Sequence, residues 1–261
     1  MSSHLARTLL ALLIVSSPVH AQGVEYAPGT TRYRITTNTS VAQSSPMGNQ
    51  TFDVGVRQLI TVNLMKRAKD TVMAALTVDS ISMTGAPPGA DVGKLAGSKF
   101  VSMISPTGKF YSSKSPEGLD PQLAQLAEGV GRFMPAYHGD LAVGKTWSDT
   151  LSGKVPQNGM MVDRTSISDY AVSGDTSIAG ETAFKVQRTT TVKAGGTGSM
   201  QGTAVTMETT GTSTGQFLLT HTGVYLGGDS KDDVLVKIMM TAQGAEITLK
   251  QNQRTSVEAV R

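Results

Sequence analysis

The stretch 51–64, TFDVGVRQLITVNL, decides the fold. Apolar side chains recur in it at every second position, and only Gln58 and Leu59 interrupt the alternation. A period of two is typical of a half-buried antiparallel strand. At about 3.3 Å per residue, this strand would extend over roughly 40 Å or more. So long an apolar face usually coils around a core, which predicts a strongly curved antiparallel sheet or a barrel.

The remaining chain has the composition and punctuation of a mainly β protein. Thr, Ser, Val and Gly are abundant, and further candidate strands recur between clusters of Gly, Pro, Asn and Asp. After a turn at residues 66–70, the apolar side chains of 71–83 begin on one parity and finish on the other. This change of phase predicts a β-bulge near Asp79 and Ser80.

One segment changes to a helical period. Asp120 and Pro121 have the residue types of an N-cap and a first helical position. Apolar side chains then follow at helical spacing: Leu123, Leu126, Ala127, Val130, Phe133 and Met134. Pro135 and Gly139 end the pattern. We expect this amphipathic helix, residues 120–134, to pack on the concave face of the sheet.

The helix and the strand 51–64 together define an expected apolar contact region. On the helix, we expect contacts to a ligand or to the sheet from Leu123, Leu126, Val130, Phe133 and Met134. On the strand, the corresponding residues are Phe52, Val54, Val56, Ile60 and Val62. The chain is also rich in Met, which fills irregular cores and lines adaptable apolar surfaces. Ordinary core packing and a lining for an apolar ligand are both open interpretations.

A faint internal repeat divides the chain. Residues 27–31 align with 142–146, and residues 104–110 align with 219–225, both at an offset of 115. Two anchors at one offset indicate a duplication. We therefore predict a single β domain over residues 22–261, built from two pseudo-repeats at about 22–139 and 140–261, with the helix as the bridge between them.

Residues 1–21 have the three parts of a secretory signal peptide. Arg7 gives a cationic start, residues 9–15 form a short apolar run, and Val19 and Ala21 precede a cut after Ala21. The apolar run would reach only about 10 Å as a helix, too short to span a bilayer. We expect a secreted or periplasmic protein that is soluble after cleavage near Ala21. Because the chain has no Cys, it must rely on a hydrophobic core rather than on disulfides.

Several sequence features together carry a resemblance to a known class of proteins. They are the leader, the long alternating strands, Gly144-Lys145-Thr146-Trp147 at the start of the second half, and the Thr-Gly-x-aromatic hairpin at 222–225. In this combination the chain resembles uncharacterised secreted bacterial all-β proteins grouped as domains of unknown function. At the level of the fold, it is similar to periplasmic lipoprotein carriers, half-barrels whose curved sheet closes over an apolar cavity. The resemblance implies a lipid or another apolar ligand as the partner and brings no catalytic motif.

The candidate catalytic and metal-binding residues lack the patterns that their chemistry needs. His138 has Asp140 beside it without a nucleophile motif, and His221 lies in an expected turn. The two histidines are far apart and no Cys is present, so the sequence predicts neither a metal site nor a cofactor. Aromatic residues make up 5% of the chain and no basic stripe is present, which argues against nucleic acid as a partner. We therefore predict that the protein is not an enzyme.

Two functions of different classes remain. The first is an exported non-catalytic protein that binds or carries an apolar ligand or lipid in the cell envelope. The second is a structural or protein-interaction module of the envelope without a ligand cavity. Neither function requires a cofactor, and the sequence leaves the oligomeric state open.

Overall fold

The computed structural model describes residues 23–85, 92–114, 116, 130, 133–157, 160–178, 180–200, 203–240 and 244–260. The predicted signal peptide, residues 1–21, lies outside these ranges. The regular elements within them are a 3₁₀ turn at Val92–Leu95 and eleven strands. The strands are β1 Gly29–Ser45, β2 Gly48–Ala68, β3 Thr71–Thr84, β4 Lys99–Ile104, β5 Phe110–Lys114, β6 Thr146–Gln157, β7 Met160–Ile178, β8 Glu181–Met200, β9 Thr203–Thr220, β10 Tyr225–Met240 and β11 Ala245–Val260.

The strands form one antiparallel sheet in the order β5-β4-β3-β2-β1-β11-β10-β9-β8-β7-β6. Each half of the chain is a meander, and the two meanders join where β11 returns to pair with β1, with Tyr33 opposite Ala259. The first and last strands therefore lie in the middle of the sheet. The edges are β5 and β6, which do not pair with each other in the described ranges, so the sheet is open.

The predicted bulge between β2 and β3 is confirmed. The register of the pair shifts between Leu59 and Ile60, which leaves Asp79 as the extra residue. The Asp79 carboxylate accepts hydrogen bonds from Thr61 Oγ1 at 2.8 Å and from Arg32 Nε at 3.3 Å. The bulge lets apolar side chains on both sides of it face the core although their parity differs.

Apolar side chains on the inner face form two buried clusters. The larger cluster joins both halves of the sheet and includes Ile60, Leu76, Phe100, Val186 and Leu219. The smaller cluster lies farther along β7, β9 and β10 and consists of Met160, Val162, Val205, Met207 and Ile238. Between them, the same face carries hydroxyl groups, including the Ser168–Thr190 pair with oxygens 2.9 Å apart. The inner face is therefore apolar, then polar, then apolar along the strands.

The segment ahead of β1, residues 23–28, lies across two hairpin turns. Tyr26 N donates to the carbonyl of Pro106 in the β4–β5 turn at 2.7 Å. Ala27 N donates to the carbonyl of Gly223 in the β9–β10 turn at 3.0 Å. The Val24 and Tyr26 side chains are buried in the larger cluster. The segment therefore ties the two halves of the sheet together at one end of the core.

The structure corrects the predicted barrel and leaves the predicted helix unsupported. The barrel alternative is wrong, because β5 and β6 do not pair with each other in the described part of the chain. The regular elements of the described ranges include no amphipathic helix, and Leu123 and Leu126 lie outside those ranges. Val130 is helical and buried, and Met134 is buried with it in the larger cluster. No helix in the described part of the chain is long and apolar enough to cross a membrane.

The structure leaves the two predicted pseudo-repeats unsupported. The long β1–β11 ladder makes one continuous sheet out of the segments 22–139 and 140–261, where one sheet from each was expected. The strands that the offset of 115 brings into correspondence also differ in length. β4 and β5 have 6 and 5 residues, whereas β9 and β10 have 18 and 16.

Candidate functional site

A cleft of about 770 Å³ lies on the inner face of the sheet. Strands β6 to β11 form one wall, and the β4–β5 turn with residues 133–138 forms the other. The apolar side chains of the lining include Phe110, Phe133, Met134, Trp147, Leu151, Phe217 and Val257, joined by Tyr137, Tyr170 and Tyr225. The polar and charged side chains include Lys109, His138, Asp149, Ser166, Ser168, Arg188, Asp229, Ser230 and Thr255.

The position of the cleft shows how strongly the sheet curves. Phe110 belongs to the edge strand β5 and Leu151 to the opposite edge strand β6, yet both line the cleft. Ten inter-strand spacings separate these edges, so a flat sheet would hold them about 48 Å apart. The sheet must therefore curl until its two edges approach across the inner face. The predicted strong curvature is present without closure into a barrel.

Packed aromatic rings make up much of the wall. Trp147 stacks on Tyr170 with ring centroids 4.9 Å apart and planes 4° from parallel. Phe133 lies against Tyr33 at 4.9 Å and against Tyr225 at 5.7 Å. Rings packed on one another have little conformational freedom left to lose, so this part of the wall is ordered by the fold itself.

Arg188 places a positive charge among these rings. It lies on β8 opposite Tyr170 of β7, and its side chain lines the cleft. Burial raises the pKa of Tyr170, and the Arg188 charge partly opposes that rise. Burial likewise raises the pKa of Tyr225, again with Arg188 opposing. The guanidinium is therefore close enough to both phenols for its charge to affect their ionisation.

Two polar atoms of the wall are buried without a hydrogen-bond partner in the described part of the chain. They are Trp147 Nε1 and Tyr137 Oη. Burial, helped by the charge of Glu25, raises the pKa of Tyr137. Unpartnered buried donors are uncommon in native proteins and each calls for an explanation, such as an unseen water or ligand.

His138, which the sequence places two residues before Asp140, lines the cleft. His138 Nδ1 contacts the Asp140 carboxylate, and Lys145 Nζ donates to the same carboxylate at 2.6 Å. The Lys145 and His138 hydrogen bonds hold the pKa of Asp140 at about 2. Asp140 thus joins the side chains of His138 and Lys145, which fastens residues 138–145 beside β6. His221 lies elsewhere, with its Nε2 3.2 Å from Asp175 Oδ1.

The residues predicted on the strand 51–64 lie away from the cleft. Ile60 and Val62 are fully buried in the larger cluster, so they pack against protein. Val54 and Val56 are half-buried farther along β2, and Phe52 is exposed near the β1–β2 turn. None of these five side chains lines the cleft.

The residues predicted on the helix divide in the same way. Phe133 and Met134 line the cleft, whereas Val130 is buried in the core. Leu123 and Leu126 lie outside the described residues. The structure therefore brings two of the predicted contact residues to the cleft.

Sequence reasoning missed most of the cleft lining, above all Trp147, Tyr170 and Arg188. One signal was available in the β8 sequence. Arg188 shares the parity of Phe184 and Val186, which are buried, so it stands at a position where an inner-face residue is expected. A lone cation on the apolar parity of a strand is a useful indicator of a polar site within a core.

No protein-family model matches the chain, and no curated protein matches it. Among solved structures, the chain is similar to a DUF1329 family protein from Desulfovibrio piger ATCC 29098. The sequence identity is 8% over 84% of this chain and 83% of that chain, and the TM-score is 0.16. The similarity is too low to carry a fold or a function to this chain.

Proposed function

We propose that the protein is an exported, non-catalytic binding protein that holds an apolar or amphipathic ligand in the cleft. The aromatic-lined cleft of about 770 Å³ carries this proposal. Its volume falls within the range of about 300–1,000 Å³ typical of small-molecule sites. The stacked Trp147–Tyr170 pair adds a wall that is ordered in advance, which lowers the cost of binding.

An exposed apolar side chain at the cleft supports the same proposal. Leu151 on the edge strand β6 is 67% exposed and lines the cleft. It shares the inner face with Trp147, so a ligand seated on the ring could extend over Leu151 and remove it from water. Burying a leucine side chain in this way would contribute about 1.5–3 kcal/mol.

Native mass spectrometry of protein purified from its own cell envelope tests the proposal. We expect wild-type protein to carry a co-purifying lipid or other apolar compound. Ser166→Trp should give a bare mass, because Ser166 lines the cleft and an indole there would fill it. Thr191→Trp is the matched control, since Thr191 is exposed on the neighbouring strand and does not line the cleft. A bare wild-type mass would argue against ligand binding.

The second candidate is a protein-interaction or structural module of the envelope. Exposed apolar side chains on the outer face favour it: Met161, Ile167 and Met239 are 57%, 44% and 40% exposed. Scattered exposed apolar residues are common on protein surfaces, so this support is the weaker of the two. Under this function, wild-type protein would show a bare mass, and chemical cross-linking in intact envelopes would capture a partner through the outer face.

The absence of catalysis is part of the proposal and needs its own test. A panel of ester, peptide and glycoside substrates should show no turnover above background with the mature protein. The double variant His138→Ala, His221→Ala serves as the comparison. Turnover in the wild type that disappears in a folded double variant would contradict the proposal and assign a role to one of the histidine–aspartate pairs.

Export is proposed from residues 1–21 alone. Expression in a bacterial host with the native leader should yield a periplasmic or secreted protein whose first residue is Gln22. Ala21→Asp should block cleavage and leave the leader attached, because the signal peptidase requires a small residue there. Recovery of the intact leader on wild-type protein would contradict this assignment.

We further propose that residues 120–134 form the amphipathic helix, with buried Val130 and Met134 as supporting residues. Leu126→Asp should lower the free energy of unfolding by several kcal/mol, because an unpaired charge would be buried. Gln125→Asp, on the polar side of the same pattern, should change it by about 0.5 kcal/mol or less. Equal effects of the two substitutions in urea denaturation would contradict the helix.

We also propose that segments 22–139 and 140–261 derive from a duplication, which two similar turns support. Lys109 N donates to Ser105 Oγ at 2.9 Å, and 115 residues later Val224 N donates to Thr220 Oγ1 at 2.8 Å. Replacing residues 105–109 by the sequence of 220–224 should therefore give a folded protein. A second variant, in which the sequence of 220–224 replaces the β1–β2 turn, serves as the control. If the exchange at 105–109 prevents folding as the control exchange does, the equivalence of the two turns is contradicted.

A further inference from the structure

Arg188 is placed at the point where the inner face changes from apolar to polar. On β8, Val186 precedes it on the same face and is fully buried, and Thr190 follows with its hydroxyl paired to Ser168. Across the β8–β9 pair, its partner is Gly215, so no side chain projects beside it from that strand. Arg188 therefore lies between the aromatic wall and the hydroxyl groups.

The guanidinium has unused hydrogen-bonding capacity. In the described part of the chain the backbone of Arg188 pairs with Tyr170 and Gly215, whereas its guanidinium, which carries five N–H donors, makes no hydrogen bond or ion pair. The two carboxylates of the cleft, Asp149 and Asp229, are exposed, and Asp229 already accepts a hydrogen bond from Gln216 at 2.8 Å. A half-buried cation without a partner is costly, and an anion arriving from solution would remove that cost.

Building on the proposed function, we propose that the ligand is an amphipathic anion whose carboxylate or phosphate pairs with Arg188. Its apolar chain would lie along Trp147 and Tyr225 and leave the cleft past Leu151. Arginine suits this role because its planar fork binds two oxygens of a carboxylate or phosphate at once. The polar Ser and Thr side chains beside Arg188 would accommodate the rest of a head group.

Trp147 makes the test direct, because it is the only tryptophan of the chain and it lines the cleft. Its fluorescence should be followed while palmitate, hexadecyl phosphate or 1-hexadecanol is added below the concentration at which each aggregates. We expect at least one of the two anions to bind wild-type protein about tenfold or more tightly than the alcohol of equal chain length. The anion that binds more tightly identifies the head group as carboxylate or phosphate.

Variants then assign the preference to Arg188. Arg188→Gln should weaken binding of the preferred anion about tenfold or more and change binding of 1-hexadecanol by about twofold or less. Arg188→Lys keeps the positive charge but loses the planar guanidinium, so its affinity for the preferred anion should lie between those of the wild type and Arg188→Gln. Lys193→Gln, which removes an exposed cation of the same strand that does not line the cleft, should bind as the wild type does.

The possible failures separate the two proposals. Equal binding of anion and alcohol by the wild type, or anion binding unchanged in Arg188→Gln, overturns the role of Arg188 while the binding function stands. If no amphiphile alters Trp147 fluorescence and none is seen by native mass spectrometry, both proposals are overturned. In a further outcome, Arg188→Gln weakens binding of all three probes equally, and Arg188→Lys also fails to prefer the anion over the alcohol. That combination shows that Arg188 has a structural role and overturns the inference.

Discussion

Docking of residues 24–27 onto the β9–β10 turn should depend on the absence of a side chain at Gly223. This glycine has φ +87°, and a Cβ built on it would lie 1.7 Å from the carbonyl oxygen of Glu25. Gly144 provides the matched control, because its φ is +84° and a Cβ there would meet nothing within 4 Å. Both alanine variants place an L-residue in a positive-φ conformation, which is unfavourable. Only Gly223→Ala also displaces residues 24–27 from the turn.

The two costs can be separated in magnitude. An L-residue in this backbone conformation costs about 1–2 kcal/mol, and a less flexible unfolded chain offsets about 0.4–1 kcal/mol of it. Gly144→Ala should therefore lower stability by about 1 kcal/mol. Undocking in Gly223→Ala also loses the hydrogen bonds from the amides of Val24, Tyr26 and Ala27, at about 1 kcal/mol each.

The same undocking exposes two side chains and releases the backbone. Val24 and Tyr26 are buried, and exposing them costs about 4 kcal/mol together. Freeing four residues returns about 5 kcal/mol of conformational entropy. The balance makes Gly223→Ala about 2 kcal/mol less stable than Gly144→Ala.

Guanidinium denaturation of the two variants measures this difference, provided that the m-values agree. Hydrogen exchange at the Tyr26 amide, which donates to Pro106 O at 2.7 Å, reports docking directly and should accelerate only in Gly223→Ala. Equal stabilities within about 0.5 kcal/mol, together with unchanged exchange at Tyr26, would refute the reasoning.

Three further outcomes follow from burial and charge. Hydrogen bonds from Lys145 and His138 hold the pKa of Asp140 at about 2. The ionised Asp140 carboxylate therefore contributes to stability above pH 4, and this contribution is lost as the pH falls towards 2. In an acid titration, the stability of Asp140→Asn should fall less steeply over that interval than the stability of the wild type. Burial raises the pKa of five of the six tyrosines above 10. Above pH 10, the phenolate absorbance of the native protein should therefore be lower than that of the urea-unfolded chain at the same pH. Coincident titration curves would contradict the burial. Met207→Ala should cost about 2–5 kcal/mol by calorimetry because Met207 is fully buried, whereas Met161→Ala, at an exposed site, should cost about 0.5 kcal/mol or less.

The alternation of apolar and polar side chains in residues 51–83 was sufficient to predict the β class and the β2–β3 hairpin. The bulge at Asp79 followed from a change of parity, since apolar residues on both sides of it had to reach one core. These predictions succeeded because β2 and β3 have a continuous apolar face near their shared turn. Where a strand buries such a face, the period of two is a direct record of the structure.

Strands β9 and β10 were harder to predict because they continue through residues that usually mark turns. Residues 227–230, Gly-Gly-Asp-Ser, read as a loop, yet they lie in β10 between β9 and β11. Asp229 is held in the sheet by Gln216 of β9, whose Nε2 donates to it at 2.8 Å. Gly228 is required where the strands approach closely, since a Cβ there would lie 2.2 Å from the Gln216 carbonyl oxygen.

The cleft could not be predicted from any single segment. Its lining comes from strands that are far apart in the chain, and only the curvature of the sheet brings Phe110 and Leu151 to one space. Phe133 and Met134 do line the cleft, although neither residue is helical and the helical spacing that singled them out remains unsupported. Of the strand residues expected opposite them, Ile60 and Val62 are buried in the core cluster against which Phe133 packs.

The order of side chains along the inner face also limits what the cleft can hold. Beside the buried Val186 and Phe217 come Arg188 and then the Ser168–Thr190 hydroxyl pair. A wholly apolar ligand would cover Arg188 without giving its N–H groups an acceptor, which carries a desolvation penalty. A wholly polar ligand would gain nothing from the rings or from exposed Leu151. Only a molecule with an apolar part and an acceptor group would satisfy both ends, which supports the proposal of an amphipathic ligand over the other two classes.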